Sequence, residues 1–237
     1  MHSPMRNTIP VETLLLAYRS GIFPMADTRE DQDVFWVEPR DRAIIPLNEL
    51  RVSKSLRKVL RSDRFTVTID NAFEYVIRAC AAPRPGHPES WISDRIVRSY
   101  VDLHRAGHAH SIECWQQNDL GEPELVGGLY GVSFDTVFCG ESMFSRADNA
   151  SKVALCWLVA LLRNAGFKLL DCQFMTDHLA SMGAVEMPQK DYLKLVSHAR
   201  GTTESSLADA FEDVALNAKA SDYSPGQLIA QSLTQTS

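Results

Sequence analysis

The chain has 237 residues, 45% of them apolar, and a formal net charge of −6. That length accommodates one large domain or two small ones, and the acidity excludes a protein that coats nucleic acid non-specifically. No apolar run reaches the roughly 18–20 residues needed to cross a bilayer, and Met1 to Pro10 lacks a secretory apolar core, so a cytoplasmic protein without membrane contact is expected.

In chain order, Val11 to Ser20 reads as a helix with Val11, Leu14, Leu15 and Tyr18 on one face, stopped by Gly21. Phe35 to Leu47, interrupted by Pro39 and Pro46, reads as loop with short extended pieces. Arg51, Lys54, Arg57, Lys58 and Arg61 follow with no acid between them. Lys54, Arg57, Lys58 and Arg61 share a helical face, which is either a solvated surface or a local phosphate contact. Arg64 to Ile69 alternates as a strand. Asp70 is placed to cap the next helix, whose stripe is Phe73, Val76, Ile77 and Cys80. Ala82 to Glu89 is a proline-rich loop, and Ser93 caps a helix through Leu103.

The period then changes. Ser111–Gln116, Glu124–Tyr130 and Val132–Phe138 read as successive strands. A strong helix starts at Asn149 or Ser151 and stops at Gly166. A strand covers Phe167–Asp171, a short helix Thr176–Met182, and a further helix Asp191–Ala199. After Gly201 only a short helix near Ser206–Leu216 and a frayed tail are expected. The whole is an α+β pattern.

Polar residues at two strand ends carry the chemistry. Glu141 sits in Phe-Cys-Gly-Glu-Ser-Met-Phe-Ser-Arg, following an apolar strand, where a carboxylate is costly to bury unpaired. It is suited to bind a cation or to pair with Arg146. Asp171 and Gln173 end another apolar run. Two apart on a strand, they point the same way, so Asp171 could accept from the Gln173 amide and turn the amide oxygen outward. The pair could equally be structural. His104, His108 and His110 lack an accompanying acid or Cys set, so no metal is expected. Ser142 lacks the second glycine of a nucleophile elbow. Cys139 and Cys172 flank acids that would raise their thiol pKa values. The five cysteines stand singly, without Cys-x-x-Cys spacing, as buried thiols of a reducing compartment do.

These two segments, with Gly21-Ile22-Phe23-Pro24, Ser90-Trp91-Ile92, Gly107-His108-Ala109-His110-Ser111 and Leu125-Val126-Gly127-Gly128-Leu129-Tyr130-Gly131, resemble the leucyl/phenylalanyl-tRNA–protein transferase family from about Val11 to Tyr192. The resemblance implies a small N-terminal α/β domain (1–62) and a larger GNAT-like, acetyltransferase-like domain with a mixed sheet flanked by helices (63–203), leaving 204–237 as an unassigned tail. It implies a monomer that moves Leu or Phe, with Met as a further candidate, from aminoacyl-tRNA to proteins beginning with Arg or Lys, marking them for degradation. It assigns Asp171 and Gln173 to peptide-bond formation and sets Glu141 beside the reacting group. It maps Trp36, Trp91 and Tyr100 to the terminal adenosine. Leu129, Phe138 and Leu170 are candidates for the amino-acid pocket, with core packing as the other reading. Arg51, Lys54, Arg57, Lys58 and Arg61 would hold the tRNA backbone. On this reading Asp171→Ala loses turnover with the fold intact, and no cofactor is needed. An acyl-coenzyme A enzyme is opposed by the glycine-free Ser145-Arg146-Ala147-Asp148-Asn149, and a non-enzymatic tRNA- or peptide-binding module leaves the two acids without a task.

Overall fold

Ala150 to Asn164 contains neither Gly nor Pro and is apolar on nearly every side, so it can only be a helix enclosed by other layers. It is that helix, α5 (Ala150–Asn164), in a computed structural model describing residues 8–83 and 89–234. The elements before it are α1 (Val11–Arg19), β1 (Phe23–Met25), β2 (Phe35–Val37), β3 (Asp41–Ile45), α2 (Lys54–Arg61), β4 (Thr66–Ile69), α3 (Phe73–Ala81), α4 (Asp94–Arg105), β5 (Ala109–Gln117), β6 (Pro123–Phe134) and β7 (Val137–Ser145). After it come β8 (Leu169–Gln173), α6 (Asp177–Ser181), β9 (Val185–Pro188), α7 (Gln189–His198), α8 (Leu207–Lys219) and α9 (Pro225–Ser232).

Strands β4-β5-β6-β7-β8-β3-β9 form one seven-stranded mixed sheet, and β1-β2 form a separate hairpin. Only the β7–β8 pairing within the large sheet is parallel. One apolar core joins α2, α5, α8 and α9 to one face of the sheet. A second joins α1, α3, α4 and α7 to the other face. The chain is thus a helix–sheet–helix sandwich of α+β type.

Residues 41–45, taken as part of a small N-terminal unit, form β3 inside the large sheet, hydrogen-bonded to β8 and β9. Its apolar Ala43, Ile44 and Ile45 are buried, and Pro39 and Pro46 bound the strand rather than break it. The third expected strand also shifts. Val132–Phe134 continues β6, Asp135 makes the turn at φ 51, and β7 runs on to Ser145. Asp tolerates the left-handed conformation well enough to make that turn. Glu141 therefore lies within a strand instead of after one.

Asp70 does not cap α3, whose N-cap position is Ala72. Its carboxylate instead accepts from Ser111 N at 2.8 Å and meets His110 Nδ1 at 2.7 Å. Ser93 occupies the N-cap of α4 without a side-chain cap bond. The tail is not frayed through residue 232: α8 and α9 each open with a capping box, Ser206 with Asp209 and Ser224 with Gln227. Gly226 packs so closely that a Cβ would stand 2.1 Å from the Leu60 carbonyl of α2, and its N–H donates to Asp63 Oδ1 at 2.8 Å. Residues 84–88 of the expected proline-rich loop lie outside the described residues.

Candidate active site

Strands β7 and β8 pair only from Val137↔Leu169 to Cys139↔Asp171, then part. Beyond that point, Gly140 to Ser145 of β7, Arg146 after it, Cys172 of β8 and Phe174 after it border a cavity of about 800 Å³. Leu129, Leu155, Leu158 and Leu170 give it an apolar wall, and Trp91, Glu141 and His178 also line it. A recess of about 220 Å³ shares Ala82, Trp91 and Ser142 with it and adds Asp27 and Glu89.

Gln173 stands where β8 ends. Its φ is +62, and Phe174 N donates to Cys172 O at 2.8 Å across it. Those are the marks of a γ-turn centred on an L-residue, a rare and strained conformation. Strand alternation therefore fails at this residue. The Gln173 amide nitrogen donates to Glu141 Oε1 at 2.9 Å, not to Asp171 as the spacing predicts. Asp171 instead accepts from the Gln173 backbone N–H at 2.8 Å and so fixes the turn.

Asp171 has no exposed surface and pairs with a residue that sequence reasoning missed. Arg42 Nε and Nη2 lie 2.9 and 2.5 Å from its two oxygens. Arg42 is also fully buried, donates to Gly21 O at 3.0 Å, and lies over the rings of Phe23 and Tyr192 at 5.0 and 4.4 Å. Tyr192 adds a hydrogen bond to Asp171 Oδ2 at 3.1 Å. The one available signal was an arginine among apolar residues, Arg42-Ala43-Ile44-Ile45, and without knowing that this is a central strand it reads as surface.

Glu141 is the acid that meets the cavity. Its other oxygen accepts from the Tyr100 hydroxyl at 3.2 Å, and the Tyr18 and Tyr100 hydroxyls hydrogen-bond each other. Burial pushes the Glu141 carboxyl up to about 7, and the charge of Asp171 adds to this. Hydrogen bonds from Tyr18, Gln173 and Tyr100 pull it down. Arg146 is not its partner and instead reaches the Leu125 carbonyl at 3.2 Å. Burial, with the charge of Asp171, holds the Cys139 and Cys172 thiols well above their usual range.

The structure thus brings Glu141, Trp91, Leu129 and Leu170 to one cavity, sets Gln173 behind Glu141 through their hydrogen bond, and leaves other expected residues elsewhere. Tyr100 has no exposed surface and cannot offer a ring face to a base. Phe138 is likewise enclosed, against Phe167 and under Gly131, where a Cβ would stand 2.3 Å from the Phe138 ring. Trp36 is 42% exposed on β2, outside both cavities. Arg51, Lys54, Lys58 and Arg61 are exposed on and beside α2, with Arg57 half-buried. His104 Nδ1 sits 2.8 Å from the Ala109 carbonyl and its ring stacks on Phe73, while His110 is engaged by Asp70. No helix among the described residues is long and apolar enough to cross a membrane.

Known proteins resemble this chain along most of its length. Residues 44–197 match the family model described as leucyl/phenylalanyl-tRNA protein transferase, and residues 7–40 match the model of that family's N-terminal domain. The break between the two falls at β3. The chain is 55% identical to a leucyl/phenylalanyl-tRNA–protein transferase of Novosphingobium aromaticivorans, over 98% of each chain. It is 56% identical to one from Zymomonas mobilis over 82% of this chain and 71% of that one. Among solved structures, L-PGS from Bacillus licheniformis aligns at a TM-score of 0.35 and 15% identity over 72% of this chain and 55% of that one, a likeness too slight to bear on the site. On the strength of the two matched family models and these relatives, the chain belongs to the leucyl/phenylalanyl-tRNA–protein transferase family.

Proposed function

We propose that the chain transfers Leu or Phe, with Met as a further candidate donor, from aminoacyl-tRNA to the α-amino group of proteins beginning with Arg or Lys. The observation that carries this reading is Glu141 in the wall of an apolar cavity, hydrogen-bonded through Oε1 to Gln173 Nε2 behind it, in a chain of this family. The acceptor nitrogen attacks the ester carbonyl carbon. The new C–N bond forms as the ester C–O bond breaks, and the proton lost by the amine ends on the released 3′ oxygen. An aminoacyl ester is already activated, so the protein's task is orientation, which can lower a barrier by up to ~7–11 kcal/mol.

Gln173 donates to Glu141, so its amide oxygen is turned to receive a hydrogen bond from the incoming amine. Glu141, poised near neutrality, takes the amine proton and returns it to the leaving oxygen. Asp171, with both oxygens engaged by Arg42, Tyr192 and the Gln173 N–H, holds the turn and does not touch substrate. Leu129, Leu155, Leu158 and Leu170 fit an apolar side chain, and Trp91 beside them fits the adenosine. Asp27 and Glu89 in the adjoining recess suit the acceptor's cationic side chain. The basic residues of α2, on a protein of net charge −6, suit the tRNA backbone.

The order α4, β5, β6, β7, α5, β8, with β7 and β8 parting after a short parallel pairing, supports an acetyltransferase-like reading of the sheet. We take the protein to act as a cytoplasmic monomer. The test is transfer of labelled Leu or Phe from tRNA to a peptide beginning with Arg, beside one beginning with Ala, without ATP or coenzyme A. Label on the Arg peptide alone is expected. Bound tRNA without transfer would overturn the enzymatic reading in favour of a binding module.

A further inference from the structure

Tyr18 and Tyr100 come from different helices and different parts of the chain, yet both phenols converge on one carboxylate. Tyr18 is on α1, within the matched N-terminal domain, and Tyr100 is on α4. Neither has exposed surface. Their hydroxyls bond each other, and Tyr100 donates to Glu141 Oε2 while Gln173 occupies Oε1. With both Glu141 oxygens engaged, its orientation in the cavity wall is set by two hydrogen bonds. A buried ring cannot stack on a base, so the hydroxyl is the functional end of Tyr100.

We infer that Tyr18 and Tyr100 are positioning residues that hold Glu141 as the ionised proton acceptor, and that Tyr100 is not a nucleobase platform. This rests on the reading of Glu141 given above. A phenol that donates to a carboxylate favours its charged form. The other groups facing Glu141 are Tyr130 from β6, Cys139 on its own strand, and Asp171 from β8 with Arg42 of β3 behind it. Burial holds Tyr18, Tyr100, Tyr130 and Cys139 as neutral acids, their pKa values well above the usual range. Asp171 is held in an ion pair with Arg42. Glu141 is therefore the group of this cluster that changes charge near neutral pH.

The experiment compares wild type, Tyr18→Phe and Tyr100→Phe, each keeping its ring. The Glu141 carboxyl is titrated by ¹³C NMR in the full chain, its signal identified by its absence in Glu141→Gln, and turnover and KM for Phe-tRNA are measured alongside. Both variants are expected to raise the Glu141 titration by about one pH unit, lowering kcat at pH 7 while leaving KM unchanged. An unmoved titration in both variants overturns the inference. So does a KM increase confined to Tyr100→Phe without a titration change, which would return Tyr100 to substrate contact. Full turnover in Glu141→Gln would instead overturn the role proposed for Glu141, an outcome separate from the titration.

Discussion

Arg42 Nη2 lies 2.5 Å from Asp171 Oδ2, and neither side chain has any exposed surface. An ion pair removed from water in this way repays its desolvation only when the remaining polar atoms are also satisfied. Here Gly21 O, Tyr192 Oη and the Gln173 N–H complete the set. The pair also bridges β3 and β8, neighbours in the sheet.

Breaking that pair should therefore affect stability as well as rate. Asp171→Ala leaves the Arg42 charge buried and unpaired, and we expect a loss of about 3–5 kcal/mol in denaturant unfolding. This revises the expectation of an intact fold for that variant. Arg42→Lys keeps the charge but loses the two-pronged geometry and should retain more stability than Arg42→Ala. Equal unfolding midpoints for Asp171→Ala and wild type would show that the pair contributes nothing.

The γ-turn at Gln173 separates strain from chemistry. Gln173→Ala and Gln173→Gly both remove the amide, and both should lower kcat by about 10²-fold, the scale of misplaced reactants. Glycine adopts positive φ freely, so Gln173→Gly should be the more stable of the two by about 1 kcal/mol. Thermal melts of the two variants, read side by side, check this; a glycine variant no more stable than the alanine one would remove the case for strain.

Glu141 makes an uncommon contribution to pH dependence. Its folded-state carboxyl is pushed up to about 7, against roughly 4.3 in an unfolded chain. Below both values the proton is held in either state and nothing is lost. As pH rises between them, the unfolded chain releases the proton while the fold retains it, and stability falls. The loss is complete above about 7 and amounts to roughly 4 kcal/mol. Glu141→Gln should flatten the stability profile over that window. A wild-type profile that rises through the window, with the variant parallel to it, would count against a raised carboxyl.

The basic helix is testable by salt. Reversing Arg57 and Lys58 to Glu should weaken tRNA binding and lower its salt dependence by about one unit of slope for each phosphate that is no longer neutralised. Affinity unchanged between low and moderate salt would return α2 to a plain solvated surface.

The elements that follow from local rules were legible in the sequence. The stripe Phe73, Val76, Ile77 and Cys80, the stop at Gly166 and the short helix within Thr176–Met182 are each decided within one or two turns of chain, and each is present. Glu141 and Gln173 were legible as polar residues in apolar surroundings, and they meet. What was not legible depends on distant partners. β3 is a strand because β8 and β9 lie beside it. Arg42 is a site residue because Asp171 stands 129 positions away in sequence. Tyr100 and Phe138 read as pocket residues until the packing above them is known. The partner of the Gln173 amide was misread because alternation stops at a turn that the spacing of Asp171 and Gln173 does not announce.

The closeness of Gly226 to the Leu60 carbonyl ties α9 to the helix that carries most of the basic patch. A chain terminated before Pro225 would uncover apolar surface beneath α2 as well as lose α9. The residues that look most dispensable by composition therefore help to seat the basic helix.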